Sequence, residues 1–331
     1  MCRCAVGIDI GRTNLRAILM SAKGEVLASI KERTDVSSGP AGVERQAAAA
    51  FERVGGRDAC ALGVGIAGQC DVRRGIVLHG PNLFWPDVPL RDRLAHRLGV
   101  PVTLRNDVVM ATMGEWFHGA GRGHRDVVAL FVGTGIGGGA IVDGRLLEGA
   151  TGCGGHFGHI SVELDGPRCG CGRRGCVEAY ASGLGLATRA REAPELPSSV
   201  LSGCEIDGRA VSLAVKNNDA LAIRLRDEAA AALSSALASV INCLEPRLVV
   251  LGGAVMDMPG LFERCSRRAL DECLKSHRSV AIVRSSLGDL AGAIGAASMA
   301  LRTNDAGPSG RSCPAATSGG DPGRPAPGTT R

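Results

Sequence analysis

One local pattern occurs twice in the sequence, once at the start of the chain and again in its middle. Residues 4–10 predict a buried strand, and a turn containing Gly and Thr separates it from a second strand at 15–20. Residues 127–132, a Gly-Thr-Gly turn and residues 137–142 follow the same order. Such a repeat predicts an α/β protein whose two domains share one plan and face each other across a cleft. The alternative is that glycine-rich turns simply follow strands often.

Other segments predict a third strand, a hairpin and several helices. The strand is expected at 26–30, and Asp143-Gly144 predicts a tight two-residue hairpin. One helix is expected to begin after Asn106-Asp107 and to end near Gly119. A longer helix is expected from about 218 to 244, followed by a strand at 248–251.

The domain boundary is predicted in a glycine-containing stretch after the first of these helices. The first domain then spans residues 1–120 and the second spans 121–302. A last helix, at about 291–301, is expected to pack back on the first domain. Residues 303–331 are mainly Pro, Gly, Ser and Thr, so they cannot bury enough apolar surface to fold and predict a disordered tail.

Charge and hydropathy limit the partners of the chain. With 38 basic and 33 acidic residues, the net charge of +5 is too small and too evenly spread to indicate nucleic acid or a membrane surface as a partner. No apolar run has the length of a membrane-spanning helix. The first residues enter a strand directly, which leaves no room for a secretory signal, so we expect a cytoplasmic location.

Two glycine-containing turns are candidate phosphate-binding sites. Asp9, Gly11 and Thr13 offer a carboxylate for a Mg²⁺ shell, backbone N–H groups and a hydroxyl. Gly133-Thr134-Gly135 offers the same backbone access in the second copy of the pattern. Glycine suits these positions because a Cβ would block the close approach of a phosphate. Each turn alone is a weak indication of phosphate binding. The indication is stronger because the two turns occupy equivalent positions in the two copies of the pattern.

Asp107 is the candidate general base. It lies where the predicted strand at 102–104 meets the N-terminus of a helix, whose dipole favours the ionised carboxylate. The alternative is that Asp107 or Asn106 only caps the helix. The two roles are compatible, because a capping position also fixes the side-chain geometry that a base requires.

A Cys/His cluster is the strongest local signal. His159 is followed by Cys169, Cys171 and Cys176 in the spacing His-x9-Cys-x-Cys-x4-Cys. Three thiolates and one imidazole suit a tetrahedral, structural Zn²⁺ site, and the intervening glycines allow a tight turn. The alternative is chance clustering in a chain with 13 cysteines.

Together these features resemble the ROK family of bacterial sugar kinases and related repressors. The resemblance spans about residues 6–301. It depends on Asp9-Ile10-Gly11-Arg12-Thr13-Asn14-Leu15-Arg16, Gly63-Val64-Gly65-Ile66-Ala67-Gly68, Pro81-Asn82-Leu83, Asn106-Asp107, Gly114-Glu115, Gly133-Thr134-Gly135-Ile136-Gly137-Gly138-Gly139, Gly158-His159, Cys169-Gly170-Cys171-Gly172, Gly175-Cys176-Val177-Glu178 and Leu251-Gly252-Gly253. The cysteine-glycine cluster with its upstream Gly-His is specific to this family, whereas actin-like ATPases in general share the glycine turns.

The resemblance implies an actin-like (ribonuclease H-like) fold, an ATP-dependent sugar kinase and a homodimer. Asp107 would take the proton of a sugar hydroxyl, usually the one at C6, and His159 would serve both the zinc and the sugar. The sugar-contacting positions are Asn82, Asn106, His156, His159 and Glu178. The positions for ATP and Mg²⁺ are Asp9, Gly11, Arg12, Thr13, Asn14, Gly133, Thr134 and Gly135, with Gly252 and Gly253 against adenosine.

The sequence departs from the family pattern at two of these positions. Arg12 stands where the family commonly has Gly; it either reaches a phosphate or crowds the turn. His156 stands where the family's sugar kinases usually have the Glu of Glu-x-Gly-His. A neutral His offers one acceptor nitrogen and adds a donor, so we expect a changed preference at C1 and C2 of the sugar, unless His156 only fills the space.

Three functional hypotheses follow from this resemblance. The first is a hexose kinase, with glucose as the leading acceptor and N-acetylmannosamine, mannose, fructose or allose as alternatives. The second is a repressor of the same family, which the lack of a visible helix-turn-helix argues against. The third is a sugar-binding protein without catalysis, which Arg12 and His156 would favour and the retained Asp107 opposes. Polyphosphate remains an alternative to ATP as the donor.

Overall fold

The computed structural model describes residues 4–80 and 85–305, so Asn82 and residues 306–331 of the predicted tail lie outside the described residues. The predicted start of the tail at residue 303 is wrong, because the last helix continues through residue 305. The strands in this part of the chain are β1 (Cys4–Ile10), β2 (Asn14–Ser21), β3 (Val26–Arg33), β4 (Ala59–Ile66), β5 (Gln69–Asp71), β6 (Ile76–Gly80), β7 (Trp85–Val88), β8 (Val102–Asn106), β9 (Val127–Val132), β10 (Ile136–Val142), β11 (Arg145–Leu146), β12 (Leu248–Gly252) and β13 (Ala281–Arg284). The α-helices are α1 (Gly39–Arg53), α2 (Leu90–Leu98), α3 (Asp107–His118), α4 (Val177–Ala181), α5 (Gly183–Glu192), α6 (Gly208–Lys216), α7 (Ala220–Leu244), α8 (Leu261–Glu272) and α9 (Ala291–Asp305).

Two five-stranded sheets are built on the same plan. The first has the order β3-β2-β1-β4-β8, and the second has the order β11-β10-β9-β12-β13. In each, three consecutive antiparallel strands are followed by two strands that run parallel to the first of them. The duplication predicted from the sequence is therefore confirmed by the strand order and directions of both sheets.

The turns within these sheets follow from local residue preferences. Asp143 and Gly144 both have positive φ, at 51° and 72°, and join β10 to β11 as the predicted two-residue hairpin. The third strand, β3, extends to Arg33, beyond the predicted end at residue 30. Its last residues alternate between exposed and half-buried on a sheet edge, where polar side chains weaken the hydrophobic signal.

Aliphatic side chains fill the cores on both sheets. The largest buried cluster packs α4–α8 against β9, β10 and β12, and a second packs α1 and α2 against the first sheet. The long helix α7 begins after its cap Asp219, which accepts a hydrogen bond from the Ala222 N–H, and ends at Glu245 in the left-handed conformation. No helix in the described ranges has the length and apolar character needed to cross a membrane.

Helix α9 follows the last strand of the second sheet and packs against the first sheet and α3. Glycines allow the backbones to touch. A Cβ on Gly63 of β4 would lie 1.9 Å from the Ala296 carbonyl oxygen. A Cβ on Gly114 of α3 would lie 2.2 Å from the Ala291 carbonyl oxygen. Any larger residue would force these elements apart, so the glycines set the position of α3 and therefore of the residues at its N-terminus.

Candidate active site

The end of β1 carries Asp9 and the first glycine-containing turn. The Gly11 N–H donates to the Asn14 carbonyl at 3.0 Å, and the Thr34 hydroxyl donates to the Gly11 carbonyl at 2.8 Å, which holds the turn from both sides. Arg12 and Thr13 are exposed at its tip. Arg12 is not among the described non-glycine residues with positive φ, so the backbone there does not demand glycine.

Asp107 is the first residue of α3, directly after β8. The capping role belongs to Asn106, whose Oδ1 accepts hydrogen bonds from the N–H groups of Val108 at 2.9 Å and Val109 at 3.2 Å. The Asn106 amide also donates to the Gly68 carbonyl at 3.0 Å. Oδ1 of Asp107 accepts from the Val108 N–H at 2.9 Å, and capping does not require its second oxygen. Asp107 is therefore held in place while retaining an acceptor for a substrate.

Asp9 and Asp107 both have raised pKa values. Burial raises the pKa of Asp107 to about 6, opposed by hydrogen bonds from Val108, its own N–H and Asn106. Burial raises the pKa of Asp9 to about 7; the charge of Asp107 adds to the rise, and the charge of Arg16 opposes it. Buried acids with raised pKa values are typical of functional sites and of places where a cation binds.

Arg16 is a site residue to which the sequence alone gave no role. It lies directly opposite Asp9 in the β1–β2 register, and its Nη1 is 3.9 Å from Asp9 Oδ2. Its other terminal nitrogen contacts Asp289 Oδ2 at 2.8 Å, and Lys31 Nζ contacts the same oxygen at 2.9 Å. The cross-strand register was the signal for the Asp9 contact, whereas Asp289 is too distant in the chain for any local pattern to reveal it.

The second glycine turn lies at the end of β9. The Gly133 N–H donates to the Gly135 carbonyl at 2.9 Å, and Thr134 is exposed at the tip. A Cβ on Gly253, where φ is 91°, would lie 2.4 Å from the Val132 carbonyl oxygen. The structure thus brings the predicted adenosine-side turn and the second phosphate turn to the same end of the second sheet.

Glu178 connects the second turn to the cysteine cluster. Its Oε2 accepts a hydrogen bond from the Ile136 N–H at 2.7 Å, and a Cβ on Gly135 would lie 2.7 Å from that oxygen. Its Oε1 lies 3.7 Å from Cys169 Sγ. Glu178 therefore fixes the start of β10 against the segment that holds the cysteines.

The four residues of the predicted metal site come together. One ligand atom from each of His159, Cys169, Cys171 and Cys176 lies within 4.8 Å of the other three. Cys169 Sγ is 3.7 Å from His159 Nδ1, and Cys171 Sγ is 3.7 Å from Cys176 Sγ. A tetrahedral zinc with bonds of about 2.3 Å to sulfur separates its ligand atoms by about 3.8 Å, so the donor set and its spacing fit this metal.

His156 lies beside this cluster. Its ring stacks on that of His159 with centroids 6.2 Å apart and an interplanar angle of 23°. Burial lowers the pKa of His156, and the neighbouring His159 lowers it further, which favours the neutral form of the ring. The position that usually holds an acid in the family therefore carries a neutral ring here.

Strand β10 joins the two groups of candidate residues. A Cβ on Gly137 would lie 2.8 Å from Val108 Cγ2, next to Asp107. A Cβ on Gly158, next to His159, would lie 2.1 Å from the Ile136 carbonyl oxygen. The N-terminus of α3 and the histidine segment thus contact the same strand.

Comparisons with known proteins agree with this arrangement. The sequence model of the ROK family matches residues 5–303 of this chain. A glucokinase of Thermotoga maritima is 37% identical over 304 residues, covering 89% of this chain and 96% of the relative. An N-acetylmannosamine kinase of Citrobacter koseri is 34% identical over 256 residues, covering 76% and 83%. The crystal structure of a ROK family glucokinase from Streptomyces griseus in complex with glucose and AMPPNP has a TM-score of 0.78 at 35% identity, covering 90% of this chain and 99% of that chain.

The duplicated sheets and the solved glucokinase structure show the actin-like fold class of the sugar kinases, as the sequence predicted. The chain belongs to the ROK family. The predicted enzyme class, a hexose kinase, is confirmed by these relatives.

Proposed function

We propose that this protein transfers the γ-phosphoryl group of ATP to the C6 hydroxyl of a hexose, with glucose as the leading acceptor and Asp107 as the general base. The observation that carries the proposal is that Asp107 has a carboxylate oxygen not used for capping and a raised pKa. Asn106 caps α3, so the Asp107 carboxylate keeps an oxygen for a substrate hydroxyl, and its pKa of about 6 suits a base at neutral pH.

The reaction needs little more from the chain than position and charge. Asp107 accepts the proton as the sugar oxygen attacks the γ-phosphorus in line and ADP leaves. The two glycine turns hold the phosphates through backbone N–H groups, with the Thr13 and Thr134 hydroxyls exposed beside them. Asn106, His159 and Glu178 orient the sugar, and the turn at Gly252 holds the adenosine.

Two metal ions belong to this proposal. Asp9 would hold the water shell of a Mg²⁺ ion. A carboxylate is a suitable ligand, and a cation there would offset the repulsion between the charges of Asp9 and Asp107. Mg²⁺ neutralises charge on the phosphates when bound. The His159 and cysteine cluster would hold a structural Zn²⁺, with Nδ1 of His159 on the metal side and Nε2 left for the sugar.

A sugar other than glucose is the second candidate acceptor. His156 is neutral and adds a hydrogen-bond donor where an acid would only accept, which favours a change at C1 and C2 of the sugar. N-acetylmannosamine, mannose, fructose and allose are the alternatives. Restoring the acid with His156→Glu should reorder the hexose ranking, whereas His96→Glu, at an exposed position of α2, should leave it unchanged. An unchanged ranking in His156→Glu would leave glucose as the acceptor.

The test of the main proposal is a turnover assay. Purified protein with Mg-ATP and a panel of hexoses and N-acetylhexosamines should release ADP only with a suitable sugar, and 6-deoxyglucose should not be phosphorylated. Asp107→Asn should lose about 100-fold or more in kcat, whereas Asp143→Asn, at the exposed hairpin, should not. Folded, zinc-containing protein that turns over no sugar with ATP or polyphosphate would favour a sugar-binding role without catalysis.

The remaining predictions concern assembly and location. The homodimer implied by the resemblance can be measured by size-exclusion chromatography with light scattering. The cytoplasmic location, and the expectation that neither nucleic acid nor a membrane is a partner, stay predictions from the sequence.

A further inference from the structure

Glu115 is a fully buried carboxylate with an unusual number of donors around it. Its Oε1 accepts hydrogen bonds from the Ser285 hydroxyl at 2.6 Å and from the N–H groups of Ser286 at 3.0 Å and Leu287 at 2.9 Å. Its Oε2 accepts from the Ser286 hydroxyl at 3.1 Å and from the Ala120 N–H at 2.9 Å. An ionised carboxylate has about four acceptor positions, so these five donors saturate it.

Most of these donors lie on the segment that connects the second sheet to the first. Ser285 follows directly after β13, and Leu287 precedes α9. The Ser285 N–H donates to the Leu251 carbonyl at 2.8 Å, and a Cβ on Gly252 would lie 2.8 Å from Ser285 Cβ. Ser285 therefore contacts Glu115 on one side and the proposed adenosine-side turn on the other.

Glu115 also lies on the helix that begins with the proposed base. It is about two turns, or about 12 Å, along α3 from Asp107. Gly114 and Gly295 hold α3 against α9 in backbone contact, since a Cβ on Gly295 would lie 1.7 Å from the Met110 carbonyl oxygen. These contacts join the segment at Ser285 to α3 through Glu115, and α3 to α9 through the backbone.

The far end of the same segment is fixed to the other side of the site. Asp289 receives Arg16 and Lys31 from β2 and β3, and Arg16 reaches Asp9. The residues from Ser285 to Asp289 are thus attached to α3 at one end and to the first sheet at the other. A segment that contacts the nucleotide side and is linked to both proposed acidic residues can transmit nucleotide binding to the sugar side.

We propose that Glu115 is a positioning residue that couples the nucleotide-side turn at Gly252 to the base Asp107, so that bound nucleotide and bound sugar strengthen each other's binding. The proposal rests on the proposed function of the site. A purely structural carboxylate would lower stability when replaced, and would leave the coupling between the two ligands unchanged.

The test uses Glu115→Gln, which keeps the shape of the side chain. Its amide turns one acceptor into a donor, so an N–H must now face the Ala120 N–H or the Ser285–Leu287 donors. Isothermal titration calorimetry measures the Kd of Mg-AMPPNP with and without saturating glucose, or with the sugar that is turned over fastest. The ratio of the two Kd values is the coupling factor.

We expect a coupling factor of at least about fivefold in the unaltered protein and a value near one in Glu115→Gln, with kcat lowered more than the sugar KM is raised. Glu44→Gln is the matched control, because Glu44 is also buried and hydrogen-bonded, to Arg97 at 2.9 Å, on α1 away from the segment. It should keep the full coupling factor. If Glu115→Gln does not fold, Ser285→Ala removes one donor and should lower the coupling factor by about twofold.

The outcomes separate this inference from the proposed function. Sugar-dependent turnover by the unaltered protein tests the proposed function alone. Coupling that is absent in the unaltered protein, or equal in folded Glu115→Gln and in Glu44→Gln, overturns the role of Glu115 whatever the turnover shows.

Discussion

Replacing the proposed base should make the protein more stable at neutral pH. Asp107 is buried enough that its folded-state pKa is about 6, against an ordinary value of 3.8. A carboxyl whose pKa is raised by folding stabilises the folded state fully below pH 3.8, and this contribution is lost as the pH rises through 6. At neutral pH the buried ionised side chain therefore lowers the free energy of unfolding, and Asp107→Asn removes this destabilisation.

The size of the expected stabilisation follows from the rise in the pKa of Asp107. One pKa unit corresponds to about 1.4 kcal/mol, so the full rise corresponds to about 3 kcal/mol in the free energy of unfolding. Because the Asp107 side chain has partial access to solvent, we expect about 1–3 kcal/mol. The amide oxygen of Asp107→Asn can still accept the hydrogen bond from the Val108 N–H, so the substitution preserves this contact. The loss of the charge also removes one of the causes that raise the pKa of Asp9.

Thermal unfolding in magnesium-free buffer measures the effect. At about pH 7.5 the midpoint of Asp107→Asn should lie roughly 1–4 °C above that of the unaltered protein. At about pH 4 the difference should be much smaller, because Asp107 is then protonated in the folded state and only partly ionised in the unfolded state. Asp143→Asn, an exposed control, should lack this pH-dependent gain. A destabilised Asp107→Asn, or a gain equal at both pH values, would refute the reasoning.

Three further predictions concern the base, the metal and the packing of α9. First, kcat/KM for the sugar should fall below about pH 6, because protonated Asp107 cannot accept a proton; a rate that stays constant to about pH 5 would contradict this. Second, Cys171→Ser should lose most of its zinc after dialysis, measured by mass spectrometry of the metal, whereas exposed Cys204→Ser should keep it. Third, Gly63→Ala should lower the free energy of unfolding by about 3 kcal/mol, measured by denaturant unfolding, because its Cβ would meet the backbone of α9.

The parts of the fold that were predictable are those with local signals. The strand at Val127–Val132 is a continuous apolar run, and the turn at Asp143-Gly144 has residues that favour positive φ, so both were placed from sequence. The three-stranded sheet of β5, β6 and β7 gave no such signal. Its strands are short and contain polar residues such as Gln69 and Asp71, which indicate loops when read without their partners.

The candidate site was predictable where one motif holds several of its residues. His159 and the three cysteines lie within one stretch of sequence, and their side chains converge as the spacing predicted. Glu115 shows the opposite case. Gly114-Glu115 stood out in the sequence, yet its donor Ser285 lies 170 positions further along the chain, and only the packing of α9 brings them together.

The two departures from the family pattern differ in what they can change. Arg12 lies at the exposed tip of its turn with ordinary backbone geometry, so its effect is confined to what its own guanidinium reaches. His156 stacks on His159, one of the four residues of the metal cluster, and replaces a charged acceptor with a neutral ring. An uncharged residue there removes negative charge from the neighbourhood of Glu178 and alters the hydrogen bonds offered to a sugar. Selectivity among hexoses should therefore depend on His156, while Arg12 should act on phosphate binding alone.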